Sequence, residues 1–201
     1  MKVIIGCEES GVGRRIFQEY GHYAISCDLK PSRDNSLFHH QGDIVEFLNR
    51  IHDAYFDLGL FHPECTAMCV AGNRTYANSE DRDRAIFWTM DLWELAKRKC
   101  RRVMFENPAS VIFPYLRRAG ADVQYVQPWQ HGHREQKKTG LALHNLPRLS
   151  ETKNVYAEMM ALPRKERERI FFMSPGANRS RDRSESYPGI LAAMANQWGD
   201  L

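Results

Sequence analysis

The stretch Val3-Ile4-Ile5-Gly6-Cys7-Glu8-Glu9-Ser10-Gly11-Val12-Gly13-Arg14 decides the fold. Three β-branched residues make a short buried strand, and a loop with three glycines follows it. Residues 14–20 continue as a helix that Gly21 stops, and residues 23–27 form a second strand closed by Asp28. Strand, glycine loop, helix and strand in that order build a parallel pair with a right-handed crossover. The alternation continues outward. Residues 44–54 read as a helix with Ile44, Phe47, Leu48 and Ile51 on one face, followed by a core strand over 58–61. Residues 82–99 read as a longer helix, with Ile86, Met90, Trp93 and Ala96 spaced for one face, and 102–105 as the next strand. A short helix over 112–119, strands over 123–126 and 140–143, and late helices over 151–162 and 192–198 complete the pattern. The expected class is α/β, with a mostly parallel sheet flanked by helices. At 201 residues the chain is sized for one buried core, so a single domain over 1–201 is expected. Residues 174–187 are polar and turn-rich and are expected as a mobile loop.

The formal charge of +3 is unevenly placed. From His131 onward twelve Lys and Arg stand against eight Asp and Glu, so the last third carries the positive excess. A phosphate-facing edge would use such residues, with Lys137, Lys138, Arg179 and Arg181 as the candidates; a solvated surface would show the same pattern. Trp129, His131 and His133 lie among the cations of residues 127–139. That mixture suits base stacking beside phosphate contacts, and an ordinary surface loop is equally consistent with it. Five cysteines form an odd set, and the chain runs from Met1 straight into a strand rather than a secretory leader. Free thiols in a reduced, cytoplasmic setting are expected. No apolar stretch approaches membrane-spanning length, so no membrane partner is expected.

Ligands of a parallel sheet gather at the carboxyl ends of its strands. Gly6, Gly11 and Gly13 lie there after the first strand, where missing side chains let backbone amides approach a ligand; a plain tight turn would use the same glycines. Asp28, closing the second strand, is placed to accept from ribose hydroxyls. Asp43, in Gly42-Asp43-Ile44, is placed to meet an adenine amino group. Together and in this order the three signals read as a site for an adenosine-containing cofactor.

The chemistry is suggested by two further segments. Cys65 follows the apolar run 58–61, and Glu106-Asn107-Pro108 follows the apolar run 102–105. A nucleophile and a carboxylic acid on one sheet edge suit covalent attack on a pyrimidine ring. A thiol ionises near about 8.5, so a reactive one needs surroundings that favour the thiolate; a buried, inert cysteine is the other reading. A glutamate behind an apolar run is costly to bury without a partner, and a raised pKa would let it protonate a ring nitrogen. An acid opening the next helical turn is the other reading of Glu106. His62-Pro63-Glu64 matches half of a zinc deaminase pattern, but Cys65 and Cys69 are spaced C-x-x-x-C rather than C-x-x-C, and the side chains of His39 and His40 diverge on a strand, so no metal is expected. No nucleophile elbow for serine catalysis is present.

These segments resemble the cytosine carbon-5 DNA methyltransferases, and especially a short variant of that family found in phages and prophages. Asp57 to Gly72 is similar to the family's strand-P-C-Q-x-x-S-x-x-G segment, Phe105-Glu106-Asn107-Pro108 to its E-N-V segment, and Gly42-Asp43-Ile44 to its G-D-I segment. Gln127 to His133 is similar to a Q-P-W-x-x-G-H stretch of the short variant, and Tyr187-Pro188-Gly189-Ile190 with Gln197-Trp198-Gly199 to its C-terminal segment. The main correspondence runs in order over residues 1–145. The resemblance implies a Rossmann-like methyltransferase domain with S-adenosylmethionine as methyl donor, and puts Gly6, Glu9, Gly11, Asp28, Asp43 and Pro63 at the cofactor. It implies that Cys65 attacks carbon-6 of cytosine, that Glu106, with Asn107 beside it, protonates the ring nitrogen, and that carbon-5 of a base flipped from DNA takes the methyl group.

The chain departs from that family at three points. Glu64 stands where the family has proline, and a carboxylate beside a thiol raises the thiol's pKa. The family's Q-x-R-x-R segment falls near Glu135, Lys137 and Thr139, without its arginines. The large target-recognition domain has no room in 201 residues. Relaxed specificity, a specificity-giving partner protein or second copy of the chain, or a free deoxycytidine nucleotide as substrate would each account for that gap. A methyltransferase fold kept only to bind nucleic acid or protein is the rival reading.

Overall fold

The computed structural model describes residues 1–176 and 179–201, with the backbone alone at 180 and 181. Among the described residues one sheet of seven strands forms the centre. Its strands are β1 (Lys2–Gly6), β2 (Tyr23–Asp28), β3 (His39–Gln41), β4 (Phe56–Phe61), β5 (Cys100–Pro108), β6 (Asp122–Val126) and β7 (Thr139–His144). Their spatial order is β3-β2-β1-β4-β5-β7-β6, parallel from β3 to β5, with β7 antiparallel to both its neighbours. The helices are α1 (Val12–Glu19), α2 (Ile44–Asn49), α3 (Asn73–Tyr76), α4 (Glu80–Lys99), α5 (Phe113–Arg118), α6 (Tyr156–Met160), α7 (Arg164–Arg167), α8 (Arg169–Phe172), α9 (Arg179–Ser184) and α10 (Pro188–Trp198). The fold is the mostly parallel α/β class expected from the alternating pattern. Among the described residues no helix is long and apolar enough to cross a membrane.

Both faces of the sheet are buried, which is why its central strands read as unbroken apolar runs. Ile4 joins the core formed with Phe61, Phe105 and Trp93 beneath α2, α4 and α5. Val3 and Ile5, one residue to either side, join the opposite core with Leu60, Met104, Phe17 and Trp198 beneath α1 and α10. From β1 the chain crosses to β2 and β3 on one side and later returns to β4 on the other, so the order reverses between β1 and β4. Such a reversal opens a crevice at the carboxyl ends of these two strands.

Several boundaries differ from the sequence reading. β3 has no β-branched or aromatic residue; it exists because its backbone pairs with β2 and because Ser26 Oγ meets His39 Nδ1 at 2.9 Å. The helix expected over 44–54 stops at Asn49, since the chain must turn at Ala54, whose φ is 53° and whose N–H reaches Arg98 O at 2.8 Å. The helix expected over 151–162 shrinks to α6, because Thr152 and Lys153 donate backbone N–H groups to Gln130 O at 3.1 Å and Val155 to Trp129 O at 2.8 Å. α9 lies inside the expected loop 174–187, and α10 begins at Pro188 rather than 192, with proline suited to a first helical turn. β5 runs through Pro108, so Glu106 and Asn107 lie within a strand rather than after one.

Candidate active site

Register places the first functional pair. β4 and β5 align Phe61 with Phe105, so His62 and Glu106, one residue on, come side by side. His62 Nδ1 lies 2.7 Å from Glu106 Oε2, and Ser186 Oγ donates to the same oxygen at 3.3 Å. The two side chains are only 14% and 12% exposed, which makes this a sheltered ion pair rather than a surface one. Lys137, Thr139, Ser186 and Tyr187 close the space around them, with Ile190 of α10 behind. The remaining cavity measures about 10 Å³, at the lower limit for one water molecule. Ser186 and Tyr187 are held in place from outside the cavity: Tyr187 donates its hydroxyl to Glu135 Oε2 at 2.7 Å, and Gly189 N–H donates to His133 Nε2 at 2.9 Å.

The charges of this pair are fixed by their contacts. Burial alone would push the Glu106 carboxyl up, but the hydrogen bond and charge of His62, with Lys137 and Ser186, hold it below its ordinary value. Burial alone would pull His62 down, but Glu106, with Glu8 more distant, holds the imidazole above its ordinary value. Glu106 is therefore a carboxylate at neutral pH rather than a stored acid, and the proton of the pair resides on His62.

Cys65 lies in the turn that follows β4. Its carbonyl accepts the N–H groups of Met68 at 3.0 Å and Cys69 at 2.8 Å. The turn is tied to the segment after β5: Val111 N–H and Ser110 Oγ both reach Met68 O, and Val70 N–H reaches Ala109 O. Asn107 Nδ2 donates to Pro63 O at 3.1 Å, while Asn107 Oδ1 is buried without a partner. Asn107 thus pins the start of the cysteine turn to β5. The half-buried thiol is pushed up to about 11, first by burial and then by Cys69, Glu64 and Glu106, with Lys137 opposing. Cys65, Glu106 and Lys137 therefore share one electrostatic neighbourhood.

The residues expected at a cofactor follow the ends of β1, β2, β3 and β4. Gly11 has φ +69°, a conformation that favours glycine, at the start of α1. At Gly6 a Cβ would strike the Phe61 ring, so this glycine is required by packing. Asp28 Oδ1 accepts Lys30 N–H at 2.9 Å, and Asp43 Oδ1 caps α2 by accepting from Val45 at 2.8 Å and Glu46 at 3.0 Å. Pro63 is buried beside Asn107. Glu9 turns to Arg33 at 2.7 Å and Lys30 at 3.6 Å. Its neighbour Glu8, which the sequence did not single out, is the buried one, 7% exposed, with Oε1 accepting from Gly13 N–H at 2.7 Å and Ser10 Oγ at 2.9 Å.

The expected phosphate contacts are engaged differently from one another. Lys137 lines the cavity and donates to Glu185 O at 3.4 Å. Lys138 sits 4.4 Å over the Tyr125 ring, and Arg179 Nε donates to Met173 O at 2.8 Å. The Arg181 side chain lies outside the described residues. Trp129, expected as a stacking platform, packs against Tyr156 with ring centres 5.0 Å apart. Ser186 had no role in the sequence reading, and His62 entered it only as half of a zinc pattern; its partnership with Glu106 becomes visible only once β4 and β5 are set in register.

No protein-family profile matches the chain, and no curated protein does. Solved structures do. An Entamoeba histolytica methyltransferase, EhMeth, aligns with a TM-score of 0.51 at 13% identity, covering 77% of this chain and 57% of that one. An E. coli prophage protein, solved under the name of a DNA modification methyltransferase, aligns at 0.49 with 13% identity over 82% and 56%. The S. pombe Dnmt2 methyltransferase aligns at 0.47 with 13% identity over 80% and 54%. The chain spans little more than half the length of these proteins. The first alignment establishes the fold, a Rossmann-like methyltransferase fold with a mostly parallel sheet; the other two are weaker and add nothing to it.

Proposed function

We propose that the protein transfers a methyl group from S-adenosylmethionine to carbon-5 of a cytosine in DNA, with Cys65 as nucleophile and Glu106 managing the ring proton. The observation that carries this reading is the His62–Glu106 pair at 2.7 Å on adjoining strand ends, with the Cys65 thiol close enough to feel the Glu106 charge. The donor fits the residues present: we assign Asp28 to its ribose and Asp43 to its adenine, and Glu8 Oε2 is a buried acceptor without a partner. When bound, the donor supplies an electrophilic methyl group.

The rest follows from the chain's own groups. Cys65 is a thiol at neutral pH and must lose its proton as Sγ bonds to carbon-6. The ring nitrogen N3 must gain a proton in the same step. Glu106, held ionised by His62, accepts the first and delivers the second, so no outside acid is needed. His62 keeps the carboxylate oriented. After methylation water takes the carbon-5 proton, the released electron pair re-forms the carbon-5–carbon-6 double bond and expels Sγ as a thiolate, and N3 returns its proton to Glu106, which passes it back to the thiolate. A cavity of about 10 Å³ admits no base, so Ser186 and Tyr187 must lift first. In this reading residues 1–201 act as one domain of the short, phage-type kind, and the choice of target rests on relaxed specificity or a partner.

Labelled donor incubated with DNA and, separately, with deoxycytidine nucleotides tests the proposal. Transfer that Cys65→Ser abolishes while donor binding persists supports it; donor binding without any transfer sinks it. The suppressed thiol and closed cavity favour the rival, a methyltransferase fold used only for binding, and steady turnover abolished by Glu106→Gln removes that rival.

A further inference from the structure

The positive charge of the chain is gathered in one segment. Residues 156–184 hold seven Lys and Arg against four Asp and Glu, leaving twenty-one of each in the rest of the chain, so the whole excess of +3 belongs there. Helices α7 and α8 of that segment lie beside the closed cavity. Arg167 O accepts Gln136 N–H at 2.7 Å, and Arg169 donates from Nε and Nη2 to the two oxygens of Glu135, each at 3.1 Å. Lys165 is exposed and enters no ion pair among the described residues. Phe171 is 68% exposed, and Arg164 lies 5.6 Å from the centre of the Phe172 ring. Cations interleaved with open aromatic rings suit a nucleic-acid backbone. Glu135 also holds the two residues that cover the cavity. Its Oε2, which takes Arg169 Nη2, accepts the Tyr187 hydroxyl at 2.7 Å, and the adjoining Ser186 donates to Glu106 at 3.3 Å. One carboxylate thus joins the exposed cation of α8 to the lid over Glu106.

We infer that α7 and α8 form the surface on which the DNA backbone lies, and that a phosphate drawing Arg169 away from Glu135 releases Tyr187 and Ser186 from the cavity. The inference rests on the DNA methyltransferase reading above and adds to it where the duplex docks and what opens the site. Arg169 is 52% exposed, so a phosphate reaches it with the fold unchanged. A phosphodiester offers a guanidinium the same pair of oxygens that a carboxylate does, so one can replace the other. Glu135, only 24% exposed and left with one neutral donor, then turns toward water, and its hold on Tyr187 goes with it. The lid opens while DNA occupies Arg169 and closes when DNA leaves, because the duplex binds the open form better.

The test uses the full chain without methyl donor, so docking and lid movement are read apart from chemistry. Binding of a short fluorescent DNA duplex is followed by anisotropy across a range of salt. Replacing Arg164 and Lys165 together by Gln is expected to weaken binding and to flatten the slope of log affinity against log salt by roughly 2, about 0.9 for each lost phosphate contact. Lys165→Gln alone changes one exposed side chain and is expected to flatten it by roughly 1, which keeps the test open if the double variant folds poorly. Hydrogen exchange is read on the peptide carrying Ser186 to Ile190. Duplex is expected to speed exchange at Gly189 N–H, whose bond to His133 belongs to the closed lid, and Arg169→Gln is expected to give the same fast exchange with no DNA present. An unchanged salt slope in these variants, or exchange that the duplex leaves as slow as before, overturns the inference, while methyl transfer to DNA by the wild type keeps the reading beneath it. A wild type that does not bind the duplex overturns both, and its retention on vesicles of anionic phospholipid would then assign the surface to a membrane instead.

Discussion

Glu64→Gln isolates the departure that bears most directly on chemistry. Glu64 is exposed, and its Oε1 accepts Thr66 N–H at 3.1 Å. Glutamine keeps an oxygen for that bond, so the variant removes charge and little else. The Cys65 thiol is pushed up to about 11, with Glu64 acting after burial and Cys69. At pH 7.5 such a group is roughly one part thiolate in 3,000, against about one in ten for an ordinary thiol near 8.5. Exposed charge interactions are worth about 0.2–1 kcal/mol, so the substitution raises the thiolate population roughly 1.4- to 5-fold. The assay is the rate of Cys65 alkylation by iodoacetamide, followed by peptide mass spectrometry between pH 7 and 10. In the wild type the rate climbs about tenfold per pH unit throughout that range, since the whole range lies below the midpoint. In Glu64→Gln the curve keeps its shape and shifts upward by the stated factor, and 0.5 M salt narrows the gap. A wild-type rate that levels off near pH 8.5, or a variant slower than the wild type, refutes the electrostatic picture of this thiol.

His62→Gln tests the buried pair through stability. The raised His62 stabilises below its unfolded value of 6.5 and loses that effect as pH rises through its folded value; the depressed Glu106 stabilises above 4.5 and loses its effect as pH falls through its folded value. The wild-type advantage over His62→Gln in urea midpoint is therefore greatest between pH 4.5 and 6.5 and shrinks on both sides. Trp198 is wholly buried and donates Nε1–H to Pro147 O at 3.1 Å, so Trp198→Ala costs about 3–5 kcal/mol in urea unfolding and loosens α10, the wall of the cavity. Arg14, 2% exposed, ties α1 to Ser26 at 3.2 Å, Ser36 at 2.7 Å and Asp34 at 2.7 Å; Arg14→Ala costs about 3 kcal/mol by the same measurement, and Asp34→Asn costs less because Asp34 is partly solvated.

The fold was largely readable because its signals are local. The run Val3-Ile4-Ile5, the turn at Gly11 and the apolar face of α4 each specify their element within a few residues. β3 was not readable, because a strand without β-branched or aromatic residues exists only through pairing with β2. The same division runs through the site. Cys65 and Glu106 stood out because a thiol and an acid behind apolar runs are unusual in themselves. Which charge state Glu106 holds depends on His62, and that contact is set by the register of two strands whose paired residues, Phe61 and Phe105, are far apart in the chain. Glu8 and Glu9 are chemically identical in sequence. Only the positions of Gly13 and Ser10 on one side, and of Arg33 on the other, decide which is buried. Lys137 read as a surface cation, and its place beside Glu106 follows from the segment at 185–187 folding back over it.

Trapping shows whether Cys65 bonds covalently to a pyrimidine ring. A cytosine with fluorine at carbon-5 cannot release a proton there after methylation, so the Sγ–carbon-6 bond persists. The protein is incubated with methyl donor and a DNA duplex containing 5-fluorocytosine, then digested and mapped by mass spectrometry. A denaturation-resistant adduct is expected on the peptide bearing Cys65, dependent on donor and absent in Cys65→Ser. An adduct on another residue, or methyl transfer to ordinary cytosine that survives Cys65→Ser, rules out Cys65 as the nucleophile.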